Sequence, residues 1–147
     1  MIEGVIIEKL RIIPGELGDI FHVLKNSDTA YQEFGEAYFS SIQKGVVKGW
    51  KRHREMILNI VVPVGAIRFA LVDRRTGSAS KNSVLNLVLS PENYCRLTVP
   101  PGIWMAFQGI GEDTNLLLNL ASIPHDPTES ENAFLSDARF SEIDWSS

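Results

Sequence analysis

Short apolar segments that recur between turn-forming residues set the tightest limit on what this chain can fold into. They run Val5 to Ile13, Ile20 to Leu24, Glu36 to Ile42, Val46 to Trp50, Ile57 to Val64, Ile67 to Asp73, Val84 to Leu89, Tyr94 to Val99, Trp104 to Gly109 and Leu116 to Ile123. Between them stand Pro14-Gly15 with Gly18, Lys44-Gly45, Gly77-Ser78, Ser90-Pro91-Glu92-Asn93, Pro100-Pro101-Gly102 and Gly111-Glu112-Asp113. Each of these separators supplies a fixed or positive φ where the chain must reverse. Strand-length segments at this spacing predict an all-β sandwich or barrel. Such a shape limits exposed sheet edges and leaves an interior mouth where a small ligand can sit. Helix signals are sparse: Ser27-Asp28 is placed to cap one turn through Tyr31 and Phe34, and Glu131 to Ala138 is expected to form another. The polar end, about residues 126–147, is expected to lie along the surface or to be partly mobile.

The chain is 147 residues long, which is the size of one domain, and its 44% hydrophobic and 22% charged residues are enough to build a core. Its longest apolar stretch, Ile60 to Ile67, is broken by Pro63 and Gly65 and falls far short of the roughly 20 residues needed to cross a bilayer. The start, Met1-Ile2-Glu3-Gly4, lacks the marks of a secretory signal, so a cytoplasmic protein is expected. Cys95 stands alone and reads as a small buried hydrophobe. Charge is divided along the chain. Lys44, Lys48, Lys51, Arg52, Arg54, Arg68, Arg74 and Arg75 stand against Glu55 and Asp73 in the middle, whereas from Glu112 onward acids outnumber Arg139. A basic middle suits an anionic small ligand such as a nucleoside diphosphate, or else it folds into a surface of mixed sign. The net charge of -4 argues against nucleic-acid binding.

Two blocks carry a family likeness. The first is Gly45-Val46-Val47-Lys48-Gly49-Trp50-Lys51-Arg52-His53, continuing to Val64-Gly65 and Val72-Asp73-Arg74-Arg75. The second is Val99-Pro100-Pro101-Gly102-Ile103-Trp104-Met105-Ala106-Phe107. With Tyr38-Phe39-Ser40 before them and Asn119 and His125-Asp126-Pro127 after them, they resemble the dTDP-4-dehydrorhamnose 3,5-epimerase family, the sugar-nucleotide branch of the cupins. The resemblance implies a cupin-type jelly-roll barrel (a double-stranded β-helix), usually a homodimer, acting on a dTDP-4-keto-6-deoxy sugar or a similar nucleotide sugar in polysaccharide or deoxysugar biosynthesis, with no cofactor. It also marks departures. Lys51 stands where the family has its catalytic histidine, Met105 where the Pro-Pro-Gly block has another, and the family's proton-donating tyrosine falls near Leu118.

The family reaction needs a base to remove a proton beside a ketone, a cation or donor for the enolate oxygen, and an acid on the opposite face. Lys51, His53 and Glu55 are spaced by two, so on a strand they share one face while Arg52 and Arg54 share the other. On an inward face Lys51 serves as base or as the enolate's cation, or it is a rim lysine with a solvated head. His53 is the more conventional base or else a structural histidine, with Glu55 placed to orient it or to pair with Lys51. The resemblance puts Lys48 at the position that meets the nucleotide diphosphate, with Arg52, Arg74 and Arg75 as further cations. Trp50 and Trp104 stack on a sugar or base, or else pack in the core. Tyr38 and Asn119 offer polar contacts inside the barrel, and Met105 fills the pocket wall. His22, His53 and His125 are scattered, so no transition-metal site is expected. Two functions follow: an epimerase or isomerase with changed catalytic residues, or a non-catalytic barrel that binds a nucleotide sugar or a protein partner.

Overall fold

A computed structural model describes residues 1–146. The described residues form twelve strands: β1 (Ile6–Lys9), β2 (Ile12–Ile13), β3 (Ile20–Phe21), β4 (Glu36–Ile42), β5 (Val47–His53), β6 (Leu58–Val64), β7 (Ile67–Asp73), β8 (Val84–Leu89), β9 (Cys95–Val99), β10 (Ile103–Gly109), β11 (Asn115–Ala121) and β12 (Ser130–Asn132). The one helical element among the described residues is a 3-10 turn, Ala138–Phe140. Two five-stranded antiparallel sheets face each other, ordered β1-β9-β6-β11-β4 and β12-β5-β10-β7-β8, and β2 pairs with β3 in a separate hairpin. This is the all-β jelly roll expected from the strand rhythm. No helix among the described residues is long and apolar enough to cross a membrane.

The core lies between the sheets. Leu58, Ile60 and Val62 of β6 and Leu97 and Val99 of β9 meet Ile67, Phe69 and Leu71 of β7, all buried. Those positions alternate along each strand, as a period of two requires. β7 is buried on both faces, because Ala70 and Val72 belong to a second apolar cluster with Trp50, Trp104 and Ala106 on the outer face of the sheet. Phe140 and Ile143 cover that cluster, with Trp145 beside them. The rings of Trp50 and Phe140 stack with centroids 4.2 Å apart.

The end of the chain, expected to lie along the surface or to be partly mobile, packs over the outer face of the β5 sheet. Residues 131–137 form no helix, and the single 3-10 turn begins only at Ala138. Glu131 and Asn132 pair with Arg52 and Lys51 in an antiparallel ladder, and Ala133 and Trp50 exchange backbone hydrogen bonds at 3.0 and 3.1 Å. β5 would otherwise be an open edge with unpaired amides beside a tryptophan, and satisfying them outweighs a weak local helix preference. Near Ser27-Asp28 the chain makes only hydrogen-bonded turns, Asp28 N–H to Lys25 O and Tyr31 N–H to Asp28 O.

Candidate functional site

A cavity of about 320 Å³ opens between the two sheets, within the usual range for a small-molecule site. β5 and β10 supply Lys48, Lys51, His53, Met105 and Phe107 to one wall. β4 and β11 supply Tyr38, Ser40, Leu117 and Asn119 to the other. Its charged or titratable bases are Lys48, Lys51 and His53, and no Asp or Glu lines it.

The two lysines share the wall because β5 is irregular. Lys51 faces Met105 and Lys48 faces Phe107, so Gly49 and Trp50 together oppose the single residue Ala106. A bulge of this kind inserts one residue and lets positions three apart point the same way. Gly49 is required there. Its φ is +132°, and an added Cβ would sit 2.6 Å from the Ala106 Cβ. Lys48 donates to Ser41 O at 2.6 Å and to Ser40 Oγ at 3.3 Å, leaning toward β4. The Lys51 side chain lines the cavity, and its ammonium makes no hydrogen bond or ion pair with any described residue.

His53 does not stand alone. Its Nδ1–H donates to the carboxylate of Glu129, and both side chains are largely buried, 14% and 6% exposed. Glu129 also accepts the backbone N–H groups of Glu55 at 3.2 Å and Met56 at 3.3 Å. Burial pushes the Glu129 carboxyl up, but the bonds from His53 and the two amides outweigh it and hold the group below its ordinary value. The carboxylate thus fixes the ring and keeps a proton on Nδ1, so that in the neutral form the lone pair is on Nε2. Glu55 was expected in this role, but β5 ends at His53 and Glu55 is exposed beyond it, offering only its amide. No sequence signal marks Glu129, which is 76 residues away.

On the facing wall, Asn119 is 1% exposed, and its Nδ2–H donates to the Tyr38 phenolic oxygen at 3.0 Å. Asn119 Oδ1 is buried with no partner among the described residues. Leu118 is not among the cavity-lining residues. β11 presents Leu117 and Asn119 instead, so the position expected to mark a lost acid lies on the other face of its strand.

Several candidate binding residues are placed elsewhere. Trp104 is 2% exposed in the outer cluster and does not line the cavity. Arg52 lies on the same outer face, over the Trp104 ring at 5.3 Å and bonded to Glu131 at 2.7 Å. Trp50 touches the cavity wall at the bulge, but its indole packs outward on Phe140. Arg74 bonds Asn82, Glu142 and the Arg139 carbonyl. Arg75 is held by Asp73 in a network with Ser78 and Ser80. Strand alternation turns Arg52 and Trp104 outward, whereas Arg74 and Arg75 lie in the loop that follows β7. Among the described residues no group of three or more His, Cys, Asp or Glu is arranged to hold a metal ion.

Comparison with known proteins agrees with this fold. The model of the dTDP-4-dehydrorhamnose 3,5-epimerase family matches residues 1–147. A crystal structure of a dTDP sugar isomerase from Desulfovibrio desulfuricans is 38% identical, with a TM-score of 0.92, covering 98% of this chain and 92% of that one. A probable low-salt glycan biosynthesis epimerase of Haloferax volcanii is 28% identical over 120 residues, 80% of this chain and 77% of the relative. The fold is also that of a 3,5-epimerase from Legionella pneumophila solved with dTDP-4-keto-L-rhamnose, which is 21% identical with a TM-score of 0.86, covering 99% of this chain and 80% of that one.

Proposed function

Because the chain belongs to the dTDP-4-dehydrorhamnose 3,5-epimerase family, we propose that it is an active sugar-nucleotide epimerase or isomerase in which His53 and Lys51 carry the chemistry. The observation that carries this reading is the buried Glu129 carboxylate behind a histidine that lines the cavity. In this reading His53 Nε2 takes the proton from the carbon beside the keto group. Glu129 stabilises the imidazolium that forms, and the unpaired Lys51 ammonium meets the enolate oxygen. The base has moved two residues along β5 from the family's position, and a cation fills the place it left. Lys48, near the mouth beside Ser40 and Ser41, suits a diphosphate oxygen. Met105 and Phe107 form an apolar wall that keeps water from the enolate. The substrate class proposed is a dTDP-4-keto-6-deoxy sugar. A homodimer is proposed with it, supported by the edge position of β4 and the 64% exposure of Phe39.

The test is solvent-deuterium incorporation, by NMR, into dTDP-4-keto-6-deoxyglucose. Exchange at carbon 3 or 5 that falls roughly 10²-fold or more in His53→Ala and Lys51→Ala is expected. Saturable dTDP binding with no exchange by the unmodified protein would instead establish a non-catalytic binding barrel.

A further inference from the structure

We propose that Tyr38 is the proton donor of this site, delivering its proton to the sugar carbon from the face opposite His53, with Asn119 as its positioning residue. The assignment rests on the reading of the cavity as a proton-transfer site. It follows from what each sheet presents. β5 places Lys51 and His53 on one wall. The facing wall, built by the other sheet, offers Tyr38, Ser40, Leu58, Ile60, Leu117 and Asn119. Of these, only the phenol is acidic enough to give up a proton to an enolate carbon. Facing sheets lie about 10 Å apart, so groups from the two walls meet a sugar ring from opposite sides.

The hydrogen bonding of the pair has the right polarity. Asn119 Nδ2 donates to the phenolic oxygen at 3.0 Å, which uses that oxygen as an acceptor and leaves its own O–H without an acceptor among the described residues. The same N–H offsets the charge that collects on the oxygen as the proton departs. Asn119 is buried at 1% exposure and cannot swing away, while Tyr38, at 43%, remains open enough to be reprotonated by solvent.

The step balances. His53 Nε2 takes the proton from the carbon, and the electron pair of the broken C–H bond moves into the enolate held at Lys51. Collapse of the enolate restores the C=O while the carbon takes the Tyr38 proton. The O–H pair stays on the phenolate, and water then returns a proton to it.

Tyr38→Phe separates the two half-steps. Incubated in D2O with dTDP-4-keto-6-deoxyglucose, the variant is expected to lose inverted product by about 10²-fold or more. Deuterium still enters the same carbon with unchanged configuration, because His53 returns a solvent-exchanged proton to the face it came from. A merely structural tyrosine would lower inversion and exchange together, and that outcome overturns the assignment. Inversion within a few-fold of the unmodified protein overturns it as well, while leaving the roles of His53 and Lys51 intact. Absence of exchange by the unmodified protein overturns the parent reading and this assignment with it. The substitution removes one hydroxyl from a partly exposed side chain, and retained dTDP affinity checks that the cavity is whole.

Discussion

Replacing Glu129 by Gln tests whether the histidine is held by charge or only by shape. The two side chains are nearly isosteric, so packing is preserved. The carboxylate accepts three hydrogen bonds, from His53 Nδ1–H and from the amides of Glu55 and Met56, at a site where its side chain is only 6% exposed. An amide cannot accept all three, since its NH2 group must face one of these donors. The loss of charge-assisted bonding and the donor–donor conflict together are expected to destabilise the fold by about 2 kcal/mol at neutral pH. For a chain of this length that lowers the melting temperature by roughly 4–8 °C. The sign of the pH dependence follows from the carboxyl group, which is held below its ordinary value in the folded state. Its contribution is complete above the unfolded carboxylate value and disappears as pH falls through the lower folded value. The gap between Glu129→Gln and the unmodified protein should therefore narrow in acid, as read from urea midpoints at several pH values. Turnover should fall roughly 10²-fold or more while dTDP affinity is kept, because the ring loses its orientation but the binding wall is untouched. A variant that is equally stable at neutral pH, or that turns over normally, would refute the role given to the carboxylate.

Phe140→Ala should cost about 3–5 kcal/mol in chemical denaturation, because it opens a void over the buried rings of Trp50 and Trp104. Gly49→Ala is expected to lose both stability and activity, since the new Cβ would meet Ala106 at 2.6 Å and the bulge that aligns Lys48 with Lys51 would have to open. Thermal melting together with dTDP titration reads both effects. Asp73 is fully buried, and hydrogen bonds from Arg75 first, then Ser78 and Ser80, outweigh burial and hold its carboxyl well below the usual range. Asp73→Asn should cost about 2 kcal/mol at neutral pH. That difference should vanish only in strong acid, as pH falls through the folded value. Urea titrations at neutral and acid pH decide the matter.

The barrel is legible in the sequence because strand length and turn chemistry are local properties, and each apolar segment is set off by residues that can reverse the chain. The inward aim of Lys51 and His53 is legible for the same reason: a period of two holds from Lys51 to His53. It fails one step further on, where β5 stops and Glu55 leaves the sheet, and one step earlier, where the bulge puts Lys48 on the lysine wall instead of across it. The tryptophans carry no local mark of their face. What decides that Trp50 and Trp104 pack outward is a cover of Phe140 and Ile143, supplied from the far end of the chain. Glu129 is illegible for a related reason, since its partner lies 76 residues away and its surroundings read as polar loop. Tyr38 and Asn119 are each visible as candidate polar contacts, but their pairing depends on β4 lying beside β11, which no spacing reveals.

β12 is the last strand of the barrel to be made, and Glu129 immediately precedes it. A chain emerging from the ribosome carries the rest of both five-stranded sheets, and both lysines and the histidine, before Glu129, which holds the histidine, has been synthesised. On the proposed reading, activity is thereby coupled to synthesis of the segment that begins at Glu129. A protease that clips the segment after Ala121, or a message truncated there, would leave most of the strands and an open cavity but no seated carboxylate and no cover for the tryptophans. Such a fragment would lack both the carboxylate behind His53 and the cover over the tryptophans, so on the proposed reading loss of the C-terminal segment is expected to remove activity and to destabilise what is left of the barrel.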